Sequence, residues 1–171
     1  MTTSGDRPVL TDELFAAGYD LDINGVRYRQ AWRGLVDAPI DRVRALAFTD
    51  AGEMLLVEGD TGFQLPGGGV EAGESPTEAL HRELWEEAAA TIGSVIRMGA
   101  TQIDVLDDGR REFHDFYCCR VSLEEKWTPP WDITSRITVP SHAFLDTLHW
   151  GHDDPKGAFL LELALRTVTQ L

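Results

Sequence analysis

Apolar and polar residues alternate along several short stretches of the chain, and turn residues divide these stretches into pairs. Strict alternation over a short run is typical of a β-strand with one buried face. Asn24-Gly25 is a strong signal for a tight hairpin, and residues 50–52 and 107–109 carry similar Asp and Gly turns. The pattern therefore predicts three pairs of strands: 21–23 with 26–28, 43–48 with 54–57, and 95–105 with 112–121.

Two segments carry the start signals or the apolar stripe of a helix. Ser75, Pro76 and Glu78 supply an N-cap, a proline at the first helical position and a capping-box carboxylate, so a helix should run from there to about Ala89. A second helix should begin near residues 154–155 and end the chain, with an apolar stripe of Phe159, Leu160, Leu163, Leu165 and Val168. This order of elements predicts an α/β fold with helices packed on a mixed sheet.

The length of the chain indicates a single domain. A chain of 171 residues is long enough to bury its own core. We interpret residues 1–171 as one domain with an N-terminal extension at about 1–37, which includes the hairpin, and a C-terminal helix at 153–171.

The excess of acidic residues restricts the partners of the protein. With 15 Lys and Arg against 29 Asp and Glu, the net charge is -14, which argues against nucleic-acid and anionic-membrane partners because polyanions are repelled. A phosphate substrate would then have to arrive with a cation. Residues 1–8 lack the pattern of a signal peptide, and no segment approaches the roughly 20 apolar residues of a spanning helix, so a soluble cytoplasmic protein is expected.

The segment from Leu65 to Ala90 concentrates the candidate chemistry. Pro66 and the glycines at 67–69 would let the backbone approach a ligand closely and expose its carbonyls and amides. A flexible loop is the alternative, since the run matches neither the phosphate-binding P-loop nor the dinucleotide fingerprint.

Three glutamates follow at helical spacing in the same segment. Glu83, Glu86 and Glu87 occur at i, i+3 and i+4 and so lie on one helix face. A solvated face would lie opposite the apolar stripe of the helix and alternate in sign, whereas here like charges crowd beside that stripe, with Glu87 at its border. Such carboxylates should have raised pKa values unless a divalent cation lies among them. We therefore favour a metal site over a solvated run of charges.

The spacing of these residues resembles the Nudix box, G-x5-E-x7-R-E-U-x-E-E-x-G-U, in which U is a bulky apolar residue. Here Gly68 is followed by Glu74 and then by the run from Arg82 to Ala90 at the spacing of the box, and every charged position matches. The departures are Ala89, where the family has glycine, and Ala90, where it prefers a larger apolar residue. Because glycine in a helix costs backbone entropy, Ala89→Gly is expected to lower stability or leave it unchanged if position 89 is helical. If position 89 instead has a positive φ, glycine would relieve strain and stabilise the protein.

The resemblance implies a fold and an activity. The fold is a Nudix-like α/β/α sandwich with a mixed β-sheet flanked by helices. The activity is hydrolysis of the diphosphate linkage in a nucleoside diphosphate joined to another group, with Mg2+ or Mn2+ as the cofactor. A small-molecule nucleotide is then the expected partner.

The resemblance also assigns roles to individual residues. Glu83 and Glu87 look like metal ligands, and Gly68 is expected to offer its carbonyl to the same ion. Glu86 either binds metal or activates water. Arg82, four residues before Glu86, would orient that carboxylate through a charge-assisted pair.

Residues outside the box are weaker candidates. Trp127 and Trp131 lie in a proline-containing loop that could form a platform for a base, with a hydrophobic plug over the core as the more common alternative. Glu112 and Glu125 are candidates for the further carboxylate that some Nudix enzymes supply, with ordinary surface positions as the alternative. We interpret four more residues as a polar loop: His149, His152, Asp153 and Asp154.

Substrate choice depends on features that mark other Nudix subfamilies. ADP-ribose hydrolases typically place a proline soon after the box, but no proline occurs between Thr91 and Thr128. The tyrosine of diadenosine polyphosphate hydrolases, the NADH-specific array and the coenzyme A signature have no close counterpart either. A nucleoside di- or triphosphate remains as the expected substrate, giving a nucleoside monophosphate plus phosphate or pyrophosphate.

Other functions on the same scaffold stay open at this level. The chain could be an ADP-ribose or sugar-nucleotide pyrophosphatase. It could be a non-catalytic nucleotide-sensing domain, although such a domain would be expected to lose box carboxylates, and none is lost. It could also be an isomerase of a diphosphate ester.

Overall fold

The structure of the protein, a computed structural model, describes residues 12–171. The expectation about a signal peptide concerns residues 1–8, which lie outside the described residues. The helices are α1 (Asp12–Ala17), α2 (Pro76–Ala88), α3 (Phe144–Thr147) and α4 (Lys156–Thr167), with 3-10 turns at Ser141–Ala143 and Val168–Gln170. The strands are β1 (Tyr19–Ile23), β2 (Val26–Gly34), β3 (Arg42–Thr49), β4 (Met54–Gly59), β5 (Gly62–Gln64), β6 (Ala90–Val105), β7 (Arg111–Leu123) and β8 (Ser135–Val139). Within residues 12–171, no helix is long and apolar enough to cross a membrane.

The strands form one mixed sheet in the order β1-β2-β6-β7-β3-β4-β5, with β8 paired to β4. β3 runs parallel to β7, with Val43 opposite Asp115, and the other pairs are antiparallel. The three predicted strand pairs are confirmed. Asn24 and Gly25 form the predicted hairpin turn, with positive φ values of 55° and 82°.

Helices cover both faces of the sheet, which confirms the expected α/β/α sandwich. On β3, Val43, Ala45 and Ala47 belong to a core cluster that includes the buried side of α2. Leu46 and Phe48 point to the opposite face, where they pack in a second cluster with α1 and α4. The two clusters follow from the period of two along a strand. The core thus lies in two layers, one on each side of the sheet.

Helix α2 begins as its sequence predicts and ends one residue earlier. Ser75 Oγ accepts from the Glu78 N–H, and the Glu78 carboxylate accepts from the Ser75 N–H, so the capping box is formed. Ala88 is the last helical residue. Ala89 lies in the left-handed region, with φ 44° and ψ 44°, and its N–H donates to the Trp85 carbonyl. Of the two outcomes considered for Ala89→Gly, the positive φ selects stabilisation.

Ala89→Gly should stabilise the protein. An L-residue in the left-handed region costs about 1 to 2 kcal/mol, which glycine avoids, so a gain of about 1 kcal/mol and a rise in Tm of roughly 2 to 4 °C are expected. A thermal melt of both proteins measures the change. Ala88→Gly is the matched control one residue earlier, and it should lower Tm because position 88 is helical and buried. A lower Tm for Ala89→Gly would contradict the left-handed cap.

Buried hydrogen bonds and an ion pair connect the β1–β2 hairpin to the start of α4. The Tyr19 hydroxyl donates to Asp154 Oδ1 at 2.5 Å. Lys156 Nζ donates to Gln30 Oε1 at 2.7 Å and lies 3.2 Å from Asp154 Oδ2. Gln30, Asp154 and Lys156 are each less than one-tenth exposed, so losing one partner would leave a buried charge unpaired. The network sets the position of the hairpin as one wall of a cleft.

Candidate functional site

The glycine loop, residues 66–69, is fixed to the first half of β3. The Val43 N–H donates to the Gly68 carbonyl and the Ala45 N–H to the Pro66 carbonyl, each at 2.9 Å. Gly67 has φ 132°, and a Cβ on it would collide with the Val43 carbonyl. Only glycine fits between loop and strand at that position. The loop therefore has one defined path along the sheet.

Two glutamates of α2 pack their carboxylates against the glycine loop. Glu87 is 8% exposed and accepts a hydrogen bond from the Gly67 N–H at 2.7 Å. The Glu83 carboxylate occupies the space beside Gly68 where a Cβ would stand, so a side chain at Gly68 would collide with both carboxylate oxygens. The two carboxylates also interact electrostatically. They lie next to each other at the loop.

The environment of Glu87 is unfavourable for a carboxylate. Burial raises its pKa from the ordinary value of 4.5 to about 7, and the negative charges of Glu83 and Asp132 add to this rise. The Gly67 N–H and the positive charge of Arg44 act in the opposite direction. A raised pKa is expected for a carboxylate at the border of an apolar stripe. Carboxylates with raised pKa values are typical of functional sites.

Arg82 connects the glycine loop to three acidic side chains. Its Nε and Nη2 donate to the two oxygens of Glu74 at 2.9 and 3.0 Å. Nη1 donates to Glu83 at 2.9 Å and to Glu86 at 3.2 Å, so the pairing expected at i, i+4 is present. Nη2 also donates to the Gly69 carbonyl at 2.9 Å. All five N–H groups of the guanidinium are therefore used, which a lysine could not reproduce.

The oxygen atoms at the glycine loop suit a hard divalent cation. Within residues 12–171, no three Asp, Glu, His or Cys side chains converge closely enough to hold an ion by themselves. Glu83 and Glu87 are the carboxylates that contact Gly68 and Gly67 of the loop. Mg2+ commonly takes one or two carboxylates and fills its other positions with water and substrate phosphates, so this donor set fits it. The Gly68 carbonyl accepts one backbone hydrogen bond and keeps a second lone pair.

A cleft of about 830 Å³ reaches the residue before the glycine loop, although among the described residues neither the loop 66–69 nor the box glutamates line it. It is lined by parts of the hairpin, by β3, β5, β6 and β7, and by the residues that precede α4. Leu65, immediately before the loop, is one of its lining residues. Arg44 also lines the cleft, donates to the Leu65 and Gly67 carbonyls, and acts electrostatically on Glu87. Arg44 therefore lies between the cleft, which it lines, and Glu87, with which it interacts electrostatically.

The cleft lining carries no excess of acidic residues, although the whole chain is acidic. Its cationic lining residues are Arg42, Arg44, Arg110 and Lys156, and its acidic ones are Asp22, Glu112, Asp153 and Asp154. The four cations balance the four acids, whereas the chain carries a net charge of -14. A phosphate group would thus meet less repulsion here than over the average surface.

His114 and Glu112 form a hydrogen-bonded pair inside the cleft. His114 Nε2 lies 2.9 Å from Glu112 Oε2. Burial lowers the pKa of His114 to about 4, against the opposing effect of Glu112, so the ring is neutral at pH 7. Glu112 also lies 3.8 Å from Arg110. Glu112, a candidate for the further carboxylate, is therefore held within the cleft by two basic residues.

The other candidates from the sequence lie outside the cleft. Trp127 packs against the core cluster on the α2 side, and Trp131 is 94% exposed. Neither tryptophan is among the described lining residues. Glu125 is exposed. Asp132, which the motif did not single out, acts electrostatically on Glu87, so the loop with the two tryptophans brings a carboxylate near the box.

Sequence reasoning also missed the cations of the cleft. Arg42 and Arg44 precede Leu46 on the same face of β3, so two charges occupy positions where the alternation leads one to expect apolar residues. These two arginines at expected core positions are the feature of the sequence that could have indicated a charged cleft. Of the predicted polar loop, His149, Asp153 and Asp154 line the cleft, whereas His152 pairs with Asp146 at 2.6 Å.

Comparison with known proteins gives a consistent family relationship. The family model described as NUDIX domain matches residues 39–156, which excludes the hairpin. An RNA pyrophosphohydrolase of Halorhodospira halophila is 42% identical over 62 residues, which are 35% of this chain and 34% of that protein, so the match spans about a third of that relative. The Bacillus subtilis pyrophosphohydrolase BsRppH has a similar structure, with a TM-score of 0.66 at 18% identity over 89% of this chain and 96% of that one. The NUDIX domain of Shewanella oneidensis NrtR, solved with ADP ribose, gives a TM-score of 0.59 at 18% identity over 78% and 90% of the two chains.

Proposed function

This chain belongs to the Nudix family, and from that premise we propose that it hydrolyses the diphosphate linkage of a small nucleotide with a divalent cation. The proposed substrate is a nucleoside di- or triphosphate, and the products are a nucleoside monophosphate plus phosphate or pyrophosphate. The observation that carries the proposal is the pair of carboxylates, Glu83 and Glu87, packed on the glycine loop next to Arg44, which also lines the cleft.

Glu83 and Glu87 are the proposed metal ligands, with the Gly68 carbonyl as a third protein oxygen. Mg2+ or Mn2+, when bound, would neutralise phosphate charge and lower the pKa of a bound water. The raised pKa of Glu87 supports this role, because a neighbouring cation favours the ionised carboxylate that burial disfavours.

Glu86 is the proposed group that orients the attacking water and accepts its proton. Its side chain is 54% exposed, so water can reach it, and Arg82 holds one of its oxygens at 3.2 Å. Arg82 is a positioning residue, because it fixes Glu86 and Glu83 relative to the glycine loop. In the reaction the water oxygen adds to a phosphorus atom, the bridging P–O bond breaks, and the leaving phosphate departs with the bonding electrons.

The cleft is the proposed site for the nucleoside. It adjoins the glycine loop through Leu65 and Arg44, so a nucleoside in the cleft would have its phosphates beside Glu83 and Glu87. Partly exposed aromatic lining residues, such as Tyr28 and Trp150, offer surface for a base.

A second candidate substrate is the 5′-triphosphate end of an RNA. The match to an RNA pyrophosphohydrolase favours it, although that match covers about a third of either chain. The net charge of -14 opposes a long polyanion. We therefore place the small nucleotide first and include the RNA end in the test.

Nucleoside di- and triphosphates should be hydrolysed with a higher kcat/KM than other Nudix substrates. The test separates and quantifies the products by chromatography in the presence of Mg2+, because most of the alternative substrates would be split into two phosphate esters and would release neither phosphate nor pyrophosphate. The alternative substrates are ADP-ribose, a sugar nucleotide, NADH, coenzyme A, diadenosine polyphosphates and a 5′-triphosphorylated oligoribonucleotide, each assayed separately. A higher kcat/KM for any alternative substrate would overturn the substrate assignment. Binding without turnover would instead indicate a sensing domain, and an isomer with its diphosphate intact would indicate an isomerase.

A further inference from the structure

Arg42 and Arg44 lie on the same face of β3, and both line the cleft. Residues two apart on a strand point the same way, so the two guanidinium groups are neighbours. Burial lowers the pKa of Arg44, and the positive charge of Arg42 lowers it further. Two like charges are thus held together in a partly enclosed site.

Within residues 12–171, no carboxylate forms an ion pair with either arginine, although Glu87 and Glu83 act electrostatically on Arg44. Arg44 donates to the backbone carbonyls of Leu65 and Gly67. Arg42 has no side-chain hydrogen bond or ion pair with any residue of the described range 12–171. This is unusual in a chain with 29 acidic and 15 basic residues.

Two of the four acidic residues of the cleft have other partners. Glu112 is bound by His114 and Arg110. Asp154 is bound by Tyr19 and Lys156. The positive charge of Arg42 is therefore available to a ligand, and a phosphate is an anion that guanidinium groups bind through two parallel hydrogen bonds.

We propose that Arg42 and Arg44 form an anion subsite that holds one phosphate of the nucleotide without any metal. This inference rests on the proposed function for the identity of the ligand. Because Arg44 donates a hydrogen bond to the Gly67 carbonyl of the glycine loop, the subsite lies next to the two glutamates. A phosphate bound there would therefore be close to the proposed cation site. The nucleotide can therefore bind first, before the divalent cation.

The test is calorimetric titration of the protein with ADP in EDTA. The parent protein should bind ADP, and Arg42→Gln should weaken that binding about tenfold or more, because a charge-assisted hydrogen bond to phosphate is lost. Arg42→Lys keeps the charge and should bind ADP more tightly than Arg42→Gln. Arg120→Gln is the matched control, since Arg120 lies on β7 and is not among the described lining residues. It should leave binding unchanged, and thermal melts check that all variants fold.

Two results would overturn the subsite: no binding of ADP by the parent protein in EDTA, or equal binding by the Arg42→Gln and Arg120→Gln variants.

In the presence of Mg2+, Arg42→Gln should also raise KM about tenfold while kcat stays within about threefold, the pattern of lost ground-state binding. The subsite and the proposed function can fail separately. Metal-free binding that depends on Arg42 would support the subsite even in a protein that releases no phosphate.

Discussion

Glu87→Gln should lower the rate of diphosphate hydrolysis by at least about two orders of magnitude, the size of effect seen when a central electrostatic stabiliser is removed. Glutamine keeps the shape of the side chain and can still accept the Gly67 N–H bond, but it removes the charge that attracts the cation. Glu83→Gln should have a similar effect, because its carboxylate lies against Gly68 at the same loop.

The matched control for both variants is Glu162→Gln. Glu162 lies on α4, its side chain is 69% exposed, and its one described ion pair is with Arg166. Phosphate release by this variant should equal that of the parent. Parental rates for Glu87→Gln would contradict its proposed role.

Glu87→Gln should also change how the stability of the metal-free protein depends on pH. Below about pH 4.5 Glu87 is protonated in both the folded and the unfolded chain, so it imposes no penalty. Between pH 4.5 and about pH 7 the unfolded chain ionises first, and the contribution of Glu87 to folding stability is lost as pH rises. Above pH 7 the loss reaches about 3 kcal/mol. In EDTA the variant should therefore gain stability over the parent between pH 5 and pH 8, as measured by urea unfolding, and a constant difference would contradict the raised pKa.

Arg82→Lys should lower turnover by about ten- to a hundredfold, because displacing reacting groups by even an ångström can have effects of that order. Arg82 uses all five N–H groups to hold Glu74, Glu83, Glu86 and the Gly69 carbonyl. Lysine keeps the charge but has only three donors on one atom and cannot match the planar fork. The position of Glu86 relative to the glycine loop would then no longer be fixed by shared hydrogen bonds to Arg82.

The control for Arg82→Lys is Arg166→Lys, which changes a guanidinium with one described ion pair, to Glu162 on the same helix. Steady-state kinetics of both variants measures the difference. Arg166→Lys should keep parental kcat and KM. Equal kinetics for the Arg82→Lys variant and the parent would show that the fork geometry has no part in positioning the glutamates.

Local signals made much of the fold predictable. The capping box at Ser75 and Glu78 uses residues three apart, and the Asn24-Gly25 turn uses adjacent ones, so the chemistry of each is complete within a few residues of sequence. The parallel pairing of β3 with β7 joins distant parts of the chain and depends on packing that no local pattern encodes. The helix was expected to run to about Ala89 and ends at Ala88, since propensity favours alanine inside a helix and the left-handed cap overrides it.

The candidate site was predictable only along α2 and its loop. The Nudix box carries Glu83, Glu86 and Glu87 on one helix, so its spacing alone brings them to one face. The cleft is different, because Arg44 and Lys156 come from β3 and from the start of α4, more than a hundred residues apart. Their proximity depends on the order of strands in the sheet.

Calorimetric titration with Mn2+, combined with phosphate release, on the three glutamine variants at positions 83, 86 and 87 tests the central claim most directly. The metal site predicts that Glu83→Gln and Glu87→Gln lose both Mn2+ affinity and turnover, whereas Glu86→Gln loses turnover and keeps most of its Mn2+ affinity. Parental Mn2+ affinity and parental rates in both the Glu83→Gln and the Glu87→Gln variants would contradict it.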